Sequence, residues 1–344
     1  MENQIKEGED KPKIGITLGD INGIGPEVVI KALNDPRLLQ LFTPVVYGST
    51  KVLSFYRKAL KVDDFNYSQV KEDRGFHPRR INVVNCWQEM MNIEVGAETP
   101  EGGSSAFFAL EKATNDLKSG MIDALVTAPI NKNNIQREDF RFPGHTEYLA
   151  HKFEVKDSLM MMVSEQLRVG VATGHIPLQR VSQDLNKDLL QRKIKLMLQS
   201  LKTDFGIIKP KIAILGLNPH AGEEGLLGSE ENDMIIPLIR ELKEKGHLIF
   251  GPFPADGFFG LATYQKFDGV MAMYHDQGLA PFKALSFESG VNFTAGLPVI
   301  RTSPDHGTAY NIAGKNQASE SSMREAIYLA LDVLKSRGQL VSLN

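Results

Sequence analysis

At 344 residues the chain is long enough for two domains or one large α/β unit, and with 42% hydrophobic and 24% charged residues it can bury a core of ordinary size. Lys and Arg total 39 against 42 for Asp and Glu, and the resulting net charge of −3 argues against a nucleic-acid or anionic-membrane partner. The single cysteine, Cys86, excludes an internal disulfide and a cysteine-built zinc cluster.

Residues 1–12, MENQIKEGEDKP, are polar and charged. They lack the apolar core of a signal peptide and read as a disordered tail. No apolar run reaches the ~18 residues that span a bilayer, so the expected compartment is the cytoplasm. Lys13–Leu18 reads as a strand running into the glycine-rich turn GDINGIGPE, Gly19–Glu27. There Pro26 takes a first helical position and VVIKAL continues the helix. Further strands are expected at Pro44–Tyr47, Ile81–Val84, Ala124–Thr127, Leu159–Val163, Val169–Ala172, Ile212–Leu217 and Val270–Met273. Ser105–Lys118 reads as a helix closed by Gly120. Ser322 and Glu325 fit a capping box, with Met323, Ile327, Ala330, Leu331 and Leu334 at helical spacing behind it. Strands alternating with helices predict an α/β fold with a largely parallel sheet.

The glycine-rich turn fails the dinucleotide fingerprint. After Gly23 and Gly25 the third glycine would fall at Val28, and no Walker lysine follows. It reads as a tight strand-to-helix turn, in which Asp20 and Asn22 remain able to face a ligand.

Three histidines share a kind of position. RVGVATGH ends at His175, KIAILGLNPH at His220, and DGVMAMYHD carries His275 and Asp276. Each follows an apolar strand candidate. Ligands of open α/β sheets bind beyond the carboxyl ends of the strands, so parallel strands would present all three imidazoles on one side. Three neutral imidazoles suit a catalytic divalent ion, with Asp256 and Asp276 as further ligands or orienting carboxylates. The pattern alone leaves ordinary loop histidines equally open. His145 and Thr146 precede a helical stretch in PGHTEYLA. An anion at the helix N-terminus and a simple Thr146 cap are equal readings there. Lys283, Asn292 and Arg301 lie in a Gly- and Pro-rich stretch beside His275, where cations can bind phosphate or carboxylate.

Taken together, GDINGIGPE, VTAPINK, PGHTEYLA, ATGHIPL, LGLNPHAGE, GPFPAD, MAMYHDQGLAPFK, GVNFTAGLPVIRTSPDHGTA and IAGKN make the chain resemble the 4-hydroxythreonine-4-phosphate dehydrogenase family from about Lys13 to near the C-terminus. The resemblance implies an isocitrate/isopropylmalate dehydrogenase-like fold: two α/β/α domains with an active-site cleft between them. The first would comprise residues 13–125 plus 295–344 with the cofactor loop, the second residues 126–294 with the metal and the dimer interface. It implies divalent-metal ligands at His175, His220 and His275 (Zn²⁺, Mg²⁺ or Co²⁺). Substrate contacts would be His145, Thr146, Lys283, Asn292 and Arg301. NAD or NADP contacts would be His306, Gly307 and Asn316, within DHGTAYNIAGKN. It further implies a homodimer whose active sites are shared by both chains.

The implied reaction oxidises 4-phosphooxy-L-threonine to a 3-keto acid that decarboxylates to 3-amino-2-oxopropyl phosphate, in pyridoxal phosphate biosynthesis. Asp256 and Asp276 are the candidate general bases. The family often has a Thr-Gly-Lys-Ala-like stretch after the cofactor loop, and this chain reads AGKNQAS. A sister group with the same motifs oxidises D-threonate or D-erythronate 4-phosphate, and these residues suit either substrate. A metal-dependent phosphate-ester hydrolase and a non-catalytic binding protein are the readings from other classes.

Overall fold

The first apolar run forms the strand Lys13–Thr17, buried from Ile14 onward because parallel neighbours flank it on both edges and other elements cover its faces. The computed structural model describes residues 11–70, 75–89 and 91–338. It divides into two compact units, Met1–Pro143 with Val299–Leu331, and Gly144–Pro298 with Asp332–Asn344. The expected disordered tail lies outside the described residues except for Lys11 and Pro12, and for these two it is corrected. Lys11 Nζ donates to the Leu39 carbonyl at 2.7 Å, and the Pro12 carbonyl accepts from the Thr43 amide at 2.8 Å.

In the first unit the strands lie in the spatial order Tyr67–Gln69, Ile81–Asn85, Thr43–Gly48, Lys13–Thr17, Ala124–Thr127, Ile300–Pro304, and every pair is parallel. Helix Gly25–Leu33 begins at the glycine-rich turn with its proline in the first turn, as expected. The next long helix runs Pro100–Lys118, starting before the predicted Ser105. Thr99 caps it by accepting from the Gly102 amide at 3.1 Å, with Pro100 in the first turn. Gly102 and Gly103 disguise that start in the sequence. Gly103 is there for packing, since a Cβ would collide with the Asn134 carbonyl. Gly120 then closes the helix region at φ +75°.

In the second unit the order is Val291–Ala295, Leu159–Val163, Arg168–Val171, Gly269–Ala272, Lys211–Leu215, Leu248–Phe253. The last four are mutually parallel, whereas Leu159–Val163 is antiparallel to both its neighbours. This qualifies the expected parallel sheet. Leu159–Val163 and Arg168–Val171 are joined by residues 164–167 alone, closed by the Ser164 amide on the Leu167 carbonyl at 2.9 Å. So short a connection can only make a hairpin. Val169, Val171, Ala213, Leu215, Val270 and Phe282 form the core around the parallel strands.

The last helix runs Ser321–Ser336, so Ser322 lies inside it. Its hydroxyl accepts from the Asp305 amide at 3.0 Å, which ties the start of the helix to the preceding loop.

Burial pushes the Cys86 thiol up to about 12. At pH 8 the native protein is therefore expected to react with a thiol reagent at least ~100-fold more slowly than the unfolded chain, because only the thiolate attacks. Equal labelling rates before and after denaturation would overturn this.

Candidate active site

Gly269–Ala272 lies between Arg168–Val171 and Lys211–Leu215, parallel to both. The chain leaves these three strands toward His275, His175 and His220, all at one end of the sheet. Hydrogen bonds fix two of the exits to each other. The Ala172 amide donates to the Ala272 carbonyl at 2.8 Å, and Thr173 donates to the Met273 carbonyl through its amide at 3.2 Å and its hydroxyl at 2.7 Å. The His175 and His275 rings lie 5.3 Å apart between centroids at 44°. Gln277 links the third exit, accepting from the Met273 amide at 2.7 Å and donating to the Gly216 carbonyl at 2.6 Å.

His220 opens a left-handed turn, with φ of 51°, 51°, 81°, 42° and 56° from His220 to Glu224. Four of those residues are not glycine, and each such conformation costs about 1 kcal/mol. The turn is held from below by Glu231, 1% exposed. Its carboxylate accepts from the Asn218 amide at 2.8 Å and from Asn218 Nδ2 at 3.0 Å. Nothing in the local composition around His220 announces this turn or its buried carboxylate.

His275 Nδ1 lies 2.7 Å from Asp276 Oδ1, which leaves Nε2 as the ring's outward donor atom. Asp256 is exposed in the first turn of helix Ala255–Gly260. That helix follows Leu248–Phe253, the neighbour of the strand leading to His220. Among the described residues of one chain, no three His, Cys, Asp or Glu side chains gather closely enough to hold a metal ion. His175 and His275 are brought together, and His220 stands outside that pair. The donor set nonetheless fits a divalent ion chemically: imidazoles from adjacent strand ends, one with its second nitrogen already paired to a carboxylate.

His145 and Thr146 open helix His145–Lys152, whose N-cap is Gly144 with no side-chain cap bond. The capping reading of Thr146 is therefore corrected. Its hydroxyl instead lies 3.4 Å from that of Thr294. Thr294 and Asn292 sit two apart on strand Val291–Ala295 and so share a face. Asn292 Oδ1 is buried with no hydrogen-bond partner among the described residues. An orphaned buried acceptor of this kind is costly unless a donor arrives. The structure thus places Thr146 and Asn292 on one polar patch through Thr294, a residue that no sequence motif singles out. Lys283 is half-buried on the helix that His275 begins, His275–Ser286.

In the first unit, Arg301 is 2% exposed and donates to Thr127 Oγ1 from Nε at 3.1 Å and Nη2 at 2.7 Å. Arg301 stands opposite Leu125 in the register of its strand with Ala124–Thr127. His306 Nδ1 lies 3.2 Å from the Gly307 carbonyl, and Asn316 is exposed in a left-handed conformation with φ 58°. Asp20 and Asn22 do not face a ligand. Both are 0% exposed and tied inside the protein, Asn22 Nδ2 to Thr99 Oγ1 at 2.9 Å and Asp20 to Asn134 and Tyr310.

Layered helices and parallel strands, with imidazoles at the strands' carboxyl ends, define an α/β enzyme scaffold of the open-sheet class. Residues 40–330 match the family model described as pyridoxal phosphate biosynthetic protein PdxA, and the chain belongs to that family. It is 51% identical over 331 residues, 96% of this chain and 90% of the other, to a 4-hydroxythreonine-4-phosphate dehydrogenase of Bacteroides thetaiotaomicron. It is 40% identical, over 95% of this chain and 99% of the other, to a protein of Oceanobacillus iheyensis named "Putative D-threonate 4-phosphate dehydrogenase". The crystal structure of 4-hydroxythreonine-4-phosphate dehydrogenase from Klebsiella pneumoniae superimposes with a TM-score of 0.78 at 36% identity, covering 95% of this chain and 99% of that one. Isocitrate dehydrogenase from Methylococcus capsulatus shares the fold at a TM-score of 0.51 and 12% identity, covering 95% and 87%. The expected fold class is thereby found.

Proposed function

We propose that the chain is an NAD- or NADP-linked, metal-dependent dehydrogenase. It would oxidise 4-phosphooxy-L-threonine to a 3-keto acid that decarboxylates to 3-amino-2-oxopropyl phosphate. The observation that carries this reading is the 51% identity to a 4-hydroxythreonine-4-phosphate dehydrogenase over nearly the whole chain. The clustering of candidate residues supports it. A divalent ion bound through His175, His220 and His275 would supply Lewis-acid chemistry at the substrate hydroxyl and at the carbonyl formed from it. Asp276 holds the His275 ring through Nδ1. Asp256, exposed and not committed to that ring, is the proton acceptor we favour for the hydroxyl.

The substrate's phosphate suits the helix N-terminus at His145 and Thr146, with Lys283 supplying charge. Asn292 Oδ1 accepts from a substrate donor there. On the first unit, Arg301 is the proposed substrate contact, and His306, Gly307 and Asn316 the proposed cofactor contacts.

A homodimer with shared sites accords with two features of the single chain: the three imidazoles do not close within it, and exposed apolar side chains follow the site residues. Leu178, Leu226 and Leu261 are 73%, 79% and 81% exposed, just past His175, His220 and Asp256. No helix among the described residues is long and apolar enough to cross a membrane. The cytoplasm is the compartment proposed.

The test is a panel of 4-phosphooxy-L-threonine, D-threonate 4-phosphate and D-erythronate 4-phosphate, each with NAD and NADP, followed by reduced-nicotinamide absorbance. Preferential turnover of the threonine derivative is expected. The sugar-acid phosphates turning over faster would move the chain to the sister activity, and phosphate release at flat absorbance would make it a hydrolase. Exhaustive chelation is expected to stop turnover, and Zn²⁺, Co²⁺ or Mg²⁺ to restore it. Full activity in a metal-stripped sample would remove the ion from the mechanism.

A further inference from the structure

The glycine-rich turn Gly19–Glu27 has no part in the chemistry above, and its two acids are fully buried. What those acids touch assigns them a task. Asp20 Oδ1 accepts from the Asn22 amide at 2.9 Å, while Oδ2 accepts from Asn134 Nδ2 at 2.8 Å and from the Tyr310 hydroxyl at 2.7 Å. The Ile24 amide donates to the Thr308 carbonyl at 2.9 Å. Gly23 is required beside it, because a Cβ there would lie 2.8 Å from the same oxygen. Further along, Glu27 Oε1 accepts from the Ala318 amide at 3.1 Å and from Lys31 Nζ at 2.8 Å. Lys31 Nζ also donates to the Ala318 carbonyl at 2.7 Å. Both polar backbone atoms of Ala318 are thus held by one ion pair whose acid is fully buried and whose lysine is partly exposed.

The bonds to Thr308, Tyr310 and Ala318 converge on the segment that the family resemblance marks as the cofactor loop. Thr308 and Tyr310 lie near its start, and Ala318 lies just beyond its end. Between the anchors, Lys315, Asn316 and Gln317 are exposed. A loop pinned at both ends with its tip facing outward is pre-ordered, and a pre-ordered loop binds without the cost of immobilising itself.

We propose that Asp20, Glu27 and Lys31 are positioning residues that set the affinity of the nicotinamide cofactor by clamping the Asp305–Ala318 segment, without touching the cofactor. This rests on the reading of that segment as the cofactor loop. It explains why the turn carries dinucleotide-like glycines without the dinucleotide fingerprint: here they let one backbone approach another.

The experiment titrates NADH and NADPH, by nicotinamide fluorescence, against the wild-type chain and the Tyr310→Phe, Lys31→Met and Asn316→Ala variants. Circular dichroism confirms folding, and chelator competition measures metal affinity. For Tyr310→Phe and Lys31→Met, the dissociation constant of the preferred reduced cofactor is expected to rise about tenfold, with the cofactor's KM following it. The metal affinity and the KM of the phosphorylated substrate are expected to stay within about threefold. A merely structural role would lower the melting temperature without separating cofactor from metal and substrate.

The proposal is overturned if both folded clamp variants bind the reduced cofactor as wild type does while Asn316→Ala binds it more weakly. If wild type binds neither cofactor, or Asn316→Ala changes nothing while the clamp variants also bind normally, the cofactor-loop reading itself fails and the proposal falls with it.

Discussion

Replacing His275 by alanine is expected to cost at least about 100-fold in turnover and to strip the metal, while the protein stays folded. The reasoning starts from position. His275 is half-exposed at the start of helix His275–Ser286, and its ring packs near His175 rather than in the core. Surface substitutions of that kind usually change stability by about 0.5 kcal/mol or less. The loss of function is another matter. Merely removing a group that orients a metal ligand costs roughly 10- to 100-fold, so removing the ligand itself should cost no less. The ring is also held by Asp276 at Nδ1, and the backbone two residues before it is fixed by the bonds of Thr173 and Gln277 to Met273. Such preparation stabilises a fixed ring orientation, which a ligand requires and a casual surface histidine does not. The check is metal content by elemental analysis together with reduced-nicotinamide absorbance and circular dichroism. Asp276→Asn should fall between wild type and His275→Ala, since the amide keeps the shape and loses the charge. A His275→Ala protein that retained stoichiometric metal and wild-type turnover would dismiss the ligand assignment.

Gly103→Ala is expected to destabilise the protein by about 3 kcal/mol, the largest effect on stability foreseen for a single methyl group. In an open helix the same change would stabilise by up to about 1 kcal/mol, because glycine costs backbone entropy. Here the sign reverses. The first turn of helix Pro100–Lys118 lies against the backbone of Asn134 and Ile135, and the added Cβ would overlap the Asn134 carbonyl. A backbone neighbour cannot rotate away as a side chain can. The strain would reach Asp20, because Asn134 Nδ2 donates to its carboxylate and to the Thr99 carbonyl that precedes the helix. Gly257 is the control. It sits in helix Ala255–Gly260, where an added Cβ would meet nothing within 4 Å, so alanine there should leave stability unchanged or slightly raised. Denaturant midpoints of the two variants decide it. A Gly103→Ala midpoint equal to wild type would mean that the Asn134 segment yields freely.

Some elements are plain in the sequence and others obscure, for identifiable reasons. Ala124–Thr127 and Leu159–Val163 are legible to the residue because each is a continuous apolar run. Val291–Ala295 and Ile300–Pro304 are not, because VNFTA and IRTSP carry polar side chains that the structure turns to use. Leu248–Phe253 is hidden by a glycine and a proline. The hairpin at residues 164–167 is in principle readable. So few residues between two apolar runs cannot cross over a sheet, a tighter constraint than the alternation of strands and helices elsewhere in the chain.

By itself, then, the sequence determined the α/β layering, the placement of His175, His220 and His275 just past apolar strands, and the family motifs. These follow from local periodicity and from residue types at fixed offsets, which the chain carries in one dimension. Only the tertiary structure decided what each polar side chain faces. It turned Asp20 and Asn22 inward, set Thr146 beside Thr294 instead of on a cap, and put the Glu27–Lys31 pair on the backbone of Ala318. Those partners lie up to 291 positions apart in the chain. No local pattern encodes such a meeting, because a buried polar group is satisfied by whichever donor or acceptor the packing of distant elements brings to it.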